Sequence, residues 1–266
     1  MTKENIPVCL TIAGLDPSGG AGITADIKTF TAFGCFAAAA VSSVTFQNTQ
    51  GVFGAEHQTG SSVRSQVVPI IDDYAVAAMK TGMLPTAEVI DETASILIEY
   101  KLKNIVVDPV VRSTSGFDLI SDEALEILVK RLFPISSVVT PNIPEAERIT
   151  RKSIETERDI DRAAEIISAL GAKSVLIKGG HFGTGDMARD FLFTGGKRLV
   201  FEDEFIDTKA THGTGCTLAA AITANLALGN DLAESVKIAK TFVNKAIRSA
   251  PNLGKGNSPI GINFDK

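Results

Sequence analysis

The sequence predicts an α/β fold in which a mainly parallel sheet is covered by helices on both faces. Three observations carry that expectation. Short apolar runs alternate with longer amphipathic ones from one end of the chain to the other. Runs such as Val8 to Gly14 and Ala75 to Met79 are almost wholly apolar, as strands buried on both faces are. No linker, low-complexity tract or internal repeat divides the 266 residues, so a single domain is expected.

Taken in order, Val8 to Gly14 is a strand bounded by Pro7 and by Asp16-Pro17. The loop Leu15 to Gly22 (LDPSGGAG) feeds a helix from Ile23 to Phe33, which Gly34 closes. Phe36 to Phe46 is a strand ending at Gln47-Asn48-Thr49-Gln50-Gly51, Val63 to Ile71 a helix, and Ala75 to Lys80 a strand. Val89, Thr93, Ile96, Leu97 and Tyr100 share one helical face. A strand at Asn104 to Asp108 stops at Pro109; Leu125, Leu128 and Leu132 mark a helix, and Ser137 to Thr140 a strand. Ile160, Ala164, Ile167 and Leu170 give an amphipathic helix before Gly171, and Ser174 to Lys178 a strand. Phe191 to Phe193 and Arg198 to Phe201 flank Thr194-Gly195-Gly196-Lys197, a hairpin signal. Two helices follow, from Thr214 and from an N-cap at Asp231.

Composition narrows the function classes. A net charge of −5 argues against a nucleic-acid partner, whose footprint is basic. No apolar run approaches bilayer-spanning length, so no membrane role is expected. Met1 to Asn5 lacks the basic and apolar character of a signal peptide, and Cys9, Cys35 and Cys216 have no framework spacing. Reduced thiols in a cytoplasmic protein are the expectation, without a zinc site.

The chemistry gathers around Thr211-His212-Gly213-Thr214-Gly215-Cys216-Thr217, which follows a strand-like run (Leu199 to Asp207) and opens an apolar helix. Glycines and small hydroxyl residues at a helix start leave backbone N–H groups open to an anion, most often phosphate. The alternative is a turn that only packs. In open parallel sheets ligands bind beyond the carboxyl ends of the strands. Those predicted ends carry Gly14 with Asp16, Gln47 with Asn48, Lys80 to Met83, Asp108, Asn142 and Lys178. Two motif matches fail. Gly20-Ala21-Gly22-Ile23-Thr24-Ala25 fits a dinucleotide fingerprint, but loop residues separate it from the strand and Thr45 stands where the acid belongs. Gly14 and Gly19 are spaced as in a P-loop, but Gly20 occupies the lysine's place.

The run Thr11-Ile12-Ala13-Gly14 with Asp16, Ser18-Gly19-Gly20-Ala21-Gly22-Ile23, Ala25-Asp26 and Lys28-Thr29 resembles the signature of the hydroxymethylpyrimidine/phosphomethylpyrimidine kinases of thiamine biosynthesis, in the ribokinase-like superfamily. The resemblance continues through Gln47-Asn48-Thr49, Lys80 to Leu84, Asp108-Pro109-Val110, Thr140-Pro141-Asn142, Pro144-Glu145-Ala146, Lys178 to His181, Thr211 to Cys216 and Gly254-Lys255-Gly256. It implies a three-layer α/β/α sandwich with a small β-hairpin, ATP with Mg²⁺, a homodimer, and two successive phosphorylations of one pyrimidine.

It also implies roles. Gly213, Thr214 and Gly215 would give backbone donors to the transferring phosphoryl group. Cys216, at a helix start where the dipole lowers a thiol's pKa, would deprotonate or orient the substrate hydroxyl, in the place where most of the superfamily has an aspartate. Gln47 can read a ring nitrogen and its neighbouring amine; Met83, Gly14, Ala21 and Val110 would border the ring, and Asp26 would bond the substrate or support the loop. Asp108 and Glu145 are the carboxylates for Mg²⁺. Asn142, Lys178, Thr208 and Lys240 are nucleotide contacts. His181 and His212 receive no role. A pyridoxal kinase is the nearest rival, and a ligand-binding relative without turnover a more distant one.

Overall fold

The computed structural model describes residues 6–113, 116–180, 182 and 186–262. Among the described residues, nine strands form one sheet: β1 (Val8–Leu15), β2 (Phe36–Asn48), β3 (Gly51–His57), β4 (Val76–Thr81), β5 (Ile105–Val107), β6 (Val138–Val139), β7 (Ser174–Gly180), β8 (Met187–Thr194) and β9 (Lys197–Glu204). Their spatial order is β3-β2-β1-β4-β5-β6-β7-β8-β9. The run from β2 to β7 is parallel, as the alternation of elements predicts. Both edges are antiparallel: β3 returns along β2, and β8 and β9 form the hairpin beside β7.

Successive residues of the central strands face opposite layers. Val106, Val138 and Leu176 meet Leu218, Ile222 and Val236 of α7 (Thr214–Ala227) and α8 (Leu232–Arg248). Their neighbours Ile105, Val107, Val139, Val175 and Ile177 belong to a second cluster. That cluster takes in Val63 of α2 (Gly60–Asp73), Leu97 of α3 (Ala87–Glu99), Leu128 of α4 (Asp122–Leu132), Ala146 of α5 (Ile143–Thr150) and Ile160 of α6 (Glu157–Ala169). Each buried valine, leucine or isoleucine among them contributes about 1.5–3 kcal/mol. α1 (Gly22–Ala32) lies against α7, completing three layers. Every residue of α7 from Thr217 to Asn225 is buried. A helix apolar on all sides is stable only when covered on all sides.

The chain starts at β1, moves outward to β2 and then crosses to β4 on the other flank of β1. Strand order therefore reverses at β1, and a crevice opens beyond the carboxyl ends of β1 and β4. Sequence reasoning did not anticipate β3, whose GVFGAEH is short, rich in glycine and largely exposed. Among the described residues, no helix is long and apolar enough to cross a membrane.

Candidate active site

A cavity of about 980 Å³ lies at the carboxyl ends of the parallel strands. Its floor is the start of α7. Gly213, the N-cap, has φ 88° and ψ 1°, a left-handed conformation that L side chains rarely adopt. A Cβ there would lie 1.9 Å from Gly20 O, so the turn is pressed against the glycine-rich loop. Thr214 N donates to Thr211 O and Thr217 N to Gly213 O. The amides of Gly215 and Cys216, between them, fall among the first-turn donors that a helix cannot satisfy internally.

Lys178, at the end of β7, reaches this turn: a Cβ on Gly215 would be 3.4 Å from its Nζ. The same Nζ is 2.9 Å from Asp108 Oδ1 and 3.8 Å from Glu145 Oε2. Burial works against the ammonium, but the Asp108 and Glu145 carboxylates outweigh it and hold its pKa above the ordinary value. Thr140 Oγ1 donates to Asp108 Oδ1 at 3.0 Å, which fixes that carboxylate. Glu145 is fixed by a capping box on α5: Asn142 Oδ1 accepts from Glu145 N at 2.8 Å, and Glu145 Oε2 accepts from Asn142 N at 2.7 Å. Burial, with Asp108 adding to it and Lys178 opposing, pushes the Glu145 carboxyl up to about 7.

Cys216 lies half-buried on the cavity wall. Its position at a helix start led to an expectation of a lowered pKa, and the structure corrects this. Burial pushes the thiol up to about 11, with Asp26 and Asp108 adding to it, while Lys80 and the Gly22 N–H pull the other way. Desolvation and two nearby carboxylates outweigh the helix start.

The residues expected to border an acceptor ring line the same cavity. Gly14 ends β1 beside Met83, whose Sδ would be 3.0 Å from an added Cβ. Ser42 Oγ donates to Met83 O at 2.5 Å and holds that segment. Ala21, Val110 and the half-buried Gln47, paired with Val52 across the β2–β3 hairpin, complete the wall. Asp26 is the exception. It lies behind the wall with its side chain 0% exposed, where Oδ2 accepts from Thr11 Oγ1 at 2.7 Å and from Lys80 Nζ at 3.0 Å.

Of the expected nucleotide contacts, Asn142 and Lys178 sit as described. Thr208 is half-buried and its Oγ1 accepts from Ala210 N at 3.1 Å. Lys240 lines the cavity but is already paired with Asp190 Oδ2 at 2.7 Å. His181 lies outside the described residues.

Three residues of the site had no role in the sequence reading. Lys80 is fully buried yet lines the cavity; the sequence set it at a strand end and in the family resemblance without giving it a role. Asp16 and His212 are joined at 2.7 Å across 196 residues, a pairing no local pattern announces. Among the described residues no group of three or more His, Cys, Asp or Glu is placed to hold a metal ion directly.

Residues 16–261 match the family described as Phosphomethylpyrimidine kinase. A Bacillus subtilis relative named hydroxymethylpyrimidine/phosphomethylpyrimidine kinase is 42% identical over 94% of this chain and 92% of its own length. The thiamine biosynthesis bifunctional protein ThiED of Geobacter sulfurreducens is 44% identical over 94% of this chain, which spans 51% of that longer protein. Among solved structures, an ADP complex of Bacillus subtilis pyridoxal kinase superposes with a TM-score of 0.90 at 37% identity, covering 97% of each chain. The phosphomethylpyrimidine kinase of Clostridium difficile 630 gives 0.80 at 41% identity, covering 91% of this chain and 99% of its own. With its glycine-rich loop, its α7 turn and its Lys178 cluster facing one cavity, and with these matches along almost its whole length, the chain belongs to the phosphomethylpyrimidine kinase family.

Proposed function

We propose that this chain phosphorylates hydroxymethylpyrimidine with ATP and then phosphorylates the resulting monophosphate, supplying the diphosphate for thiamine biosynthesis. One observation supports this above the others: the first-turn amides of α7, Cys216 and the Lys178 ammonium meet at one end of a cavity large enough for both substrates. Phosphoryl transfer asks the protein chiefly to position the reactants and to neutralise charge.

In this reading the amides of Gly213 to Cys216 and Lys178 hold the γ-phosphoryl group, with Asn142, Thr208 and Lys240 along the nucleotide. Gln47, Gly14, Ala21, Met83 and Val110 hold the pyrimidine, and its hydroxymethyl oxygen faces Cys216. The Cys216 sulfur orients that hydroxyl and, as the thiolate, takes its proton as the oxygen attacks the γ-phosphorus and ADP departs. Asp26 acts through Lys80 rather than on the substrate. Asp108 and Glu145 suit Mg²⁺: they are hard oxygen donors, and Asp108 Oδ1 alone carries the bonds from Lys178 and Thr140. They would hold the ion through water, and it would neutralise phosphate charge when bound. A homodimer belongs to the same reading; the exposed Phe46 and Phe53 at the β2–β3 edge are apolar surface that a second copy would cover.

The TM-score of 0.90 with a pyridoxal kinase gives the rival reading its weight. Gln47 favours the aminopyrimidine, because its amide can donate and accept side by side. ADP release measured with hydroxymethylpyrimidine, then with pyridoxal in competition, is the test. Preferential turnover of the pyrimidine is expected; turnover of pyridoxal alone would overturn the assignment.

A further inference from the structure

We propose that His212 is a positioning residue for phosphoryl transfer, forming with Asp16 a latch that keeps the glycine-rich loop (16–22) in register with the α7 turn (213–216). The inference rests on the proposed function only in assigning acceptor and γ-phosphate to those two segments; the latch itself is a matter of geometry.

Four N–H donors converge on Asp16. Ser18 N donates to Oδ1 at 2.8 Å, and Gly20 N at 3.2 Å, Ala21 N at 2.9 Å and His212 Nε2 at 2.7 Å meet Oδ2. A carboxyl oxygen surrounded by donors is ionised, and the bond to His212 then fixes the ring with a proton on Nε2. Burial pushes the Asp16 carboxyl up, but the His212 and Ser18 bonds outweigh it and hold its pKa below the ordinary value. Asp16 is 2% exposed and His212 8%, so water competes little for the bond.

The two backbones also interlock. A Cβ on Gly20 would meet His212 Cδ2 at 2.4 Å, and one on Gly213 would meet Gly20 O at 1.9 Å. Nothing larger than hydrogen separates the loop from the turn. His212 is anchored independently, its N donating to Ser258 O at 3.2 Å. The residue that opens the phosphate-holding turn is therefore the one whose ring holds the carboxylate organising the acceptor loop. In-line transfer is sensitive to this register, since a misplacement of about 1 Å can cost about 100-fold in rate.

The experiment compares wild type with His212→Leu, His212→Asn and His212→Gln. Leucine removes the donor to Asp16, and kcat of both phosphorylations should fall about 100-fold while the affinity for ADP alone changes less than about threefold. Glutamine, whose amide N–H can still reach Asp16, should recover roughly tenfold of that loss. Hydrogen exchange gives a readout independent of turnover. ADP added to wild type should slow exchange at the Ser18 to Ala21 amides as well as at 214–217; in the leucine variant it should slow only the latter. Should the leucine variant fail to fold, the asparagine variant, with its shorter reach, takes its place in both measurements. Retention of kcat within about twofold, or of the ADP effect on Ser18 to Ala21, would overturn the latch. Wild type lacking turnover with the pyrimidine would defeat the functional reading instead, and the exchange comparison would still decide the latch.

Discussion

Lys80 Nζ stands 3.0 Å from Asp26 Oδ2 with neither side chain reaching solvent. Thr11 Oγ1 joins them on Oδ2, whereas Asp26 Oδ1 has no hydrogen-bond partner among the described residues. Removing one member of a buried ion pair strands the other charge, at a cost of about 3–5 kcal/mol. Asp26→Ala should therefore lower the free energy of unfolding in urea by that amount, and the double change Asp26→Leu with Lys80→Met should recover most of it. A single variant with wild-type stability and only a raised KM for the pyrimidine would instead return Asp26 to substrate contact.

In the proposed mechanism Cys216 separates the two chemical steps. Its thiol is pushed up to about 11, so over the neutral range the thiolate fraction rises about tenfold per pH unit. The first phosphorylation should gain rate with a log–log slope of about one between about pH 7 and pH 9. The second should be flat, because a phosphate monoester with a second pKa of about 6 is already anionic there. Cys216→Ala should abolish the slope and harm the first step much more than the second. Equal losses in both steps, measured with each acceptor, would leave the thiol only a packing role.

Glu145 ties stability to pH. Its folded pKa of about 7 lies above the ordinary 4.5, so across that interval the folded chain binds more protons than the unfolded one. Its contribution is full below 4.5 and is lost as pH rises through about 7. Glu145→Gln keeps an acceptor for Asn142 N and has no proton to lose. The variant should therefore gain stability relative to wild type as pH rises across this window. Parallel curves of unfolding free energy against pH would show that Glu145 is not the titrating group.

In the proposed reading Gln47 bears on substrate choice. With its amide replaced in Gln47→Leu, kcat/KM for hydroxymethylpyrimidine should fall about 100-fold, since two polar edges of the ring lose their partners. Turnover of pyridoxal, which has no such edge, should change far less. Equal losses on both compounds would place Gln47 in hairpin packing rather than ring recognition.

The parallel core was legible because its strands are buried on both faces and its helices carry clear caps. Asp231, read from the sequence as an N-cap, caps α8, whereas the capping box that opens α5 at Asn142 and Glu145 and the Ser121 cap of α4 emerge only in the fold. β3 was not legible, because an exposed edge strand owes its pairing to β2 more than to its own residues. Single residues at strand ends, such as Asp108 and Lys178, could be read as polar chemistry on one rim. What each would touch could not. The bond of His212 to Asp16, of Asp26 to Lys80 and of Asp190 to Lys240 are all set by tertiary packing. The Cys216 thiol shows the same limit: its helix position is local, while the desolvation that sets its acidity comes from the whole fold.

At the tip of the β2–β3 hairpin, Thr49 O accepts from Asn257 N at 2.7 Å, and Thr49 Oγ1 accepts from the amides of Lys255 and Gly256 at 3.2 Å each. The hairpin that carries Gln47 is thus clasped by a turn made more than 200 residues later. During synthesis this wall of the cavity has no clasp until that late turn leaves the ribosome. A nascent chain can build its sheet early, but this wall of the cavity is fastened only after residues 255–257 have been made.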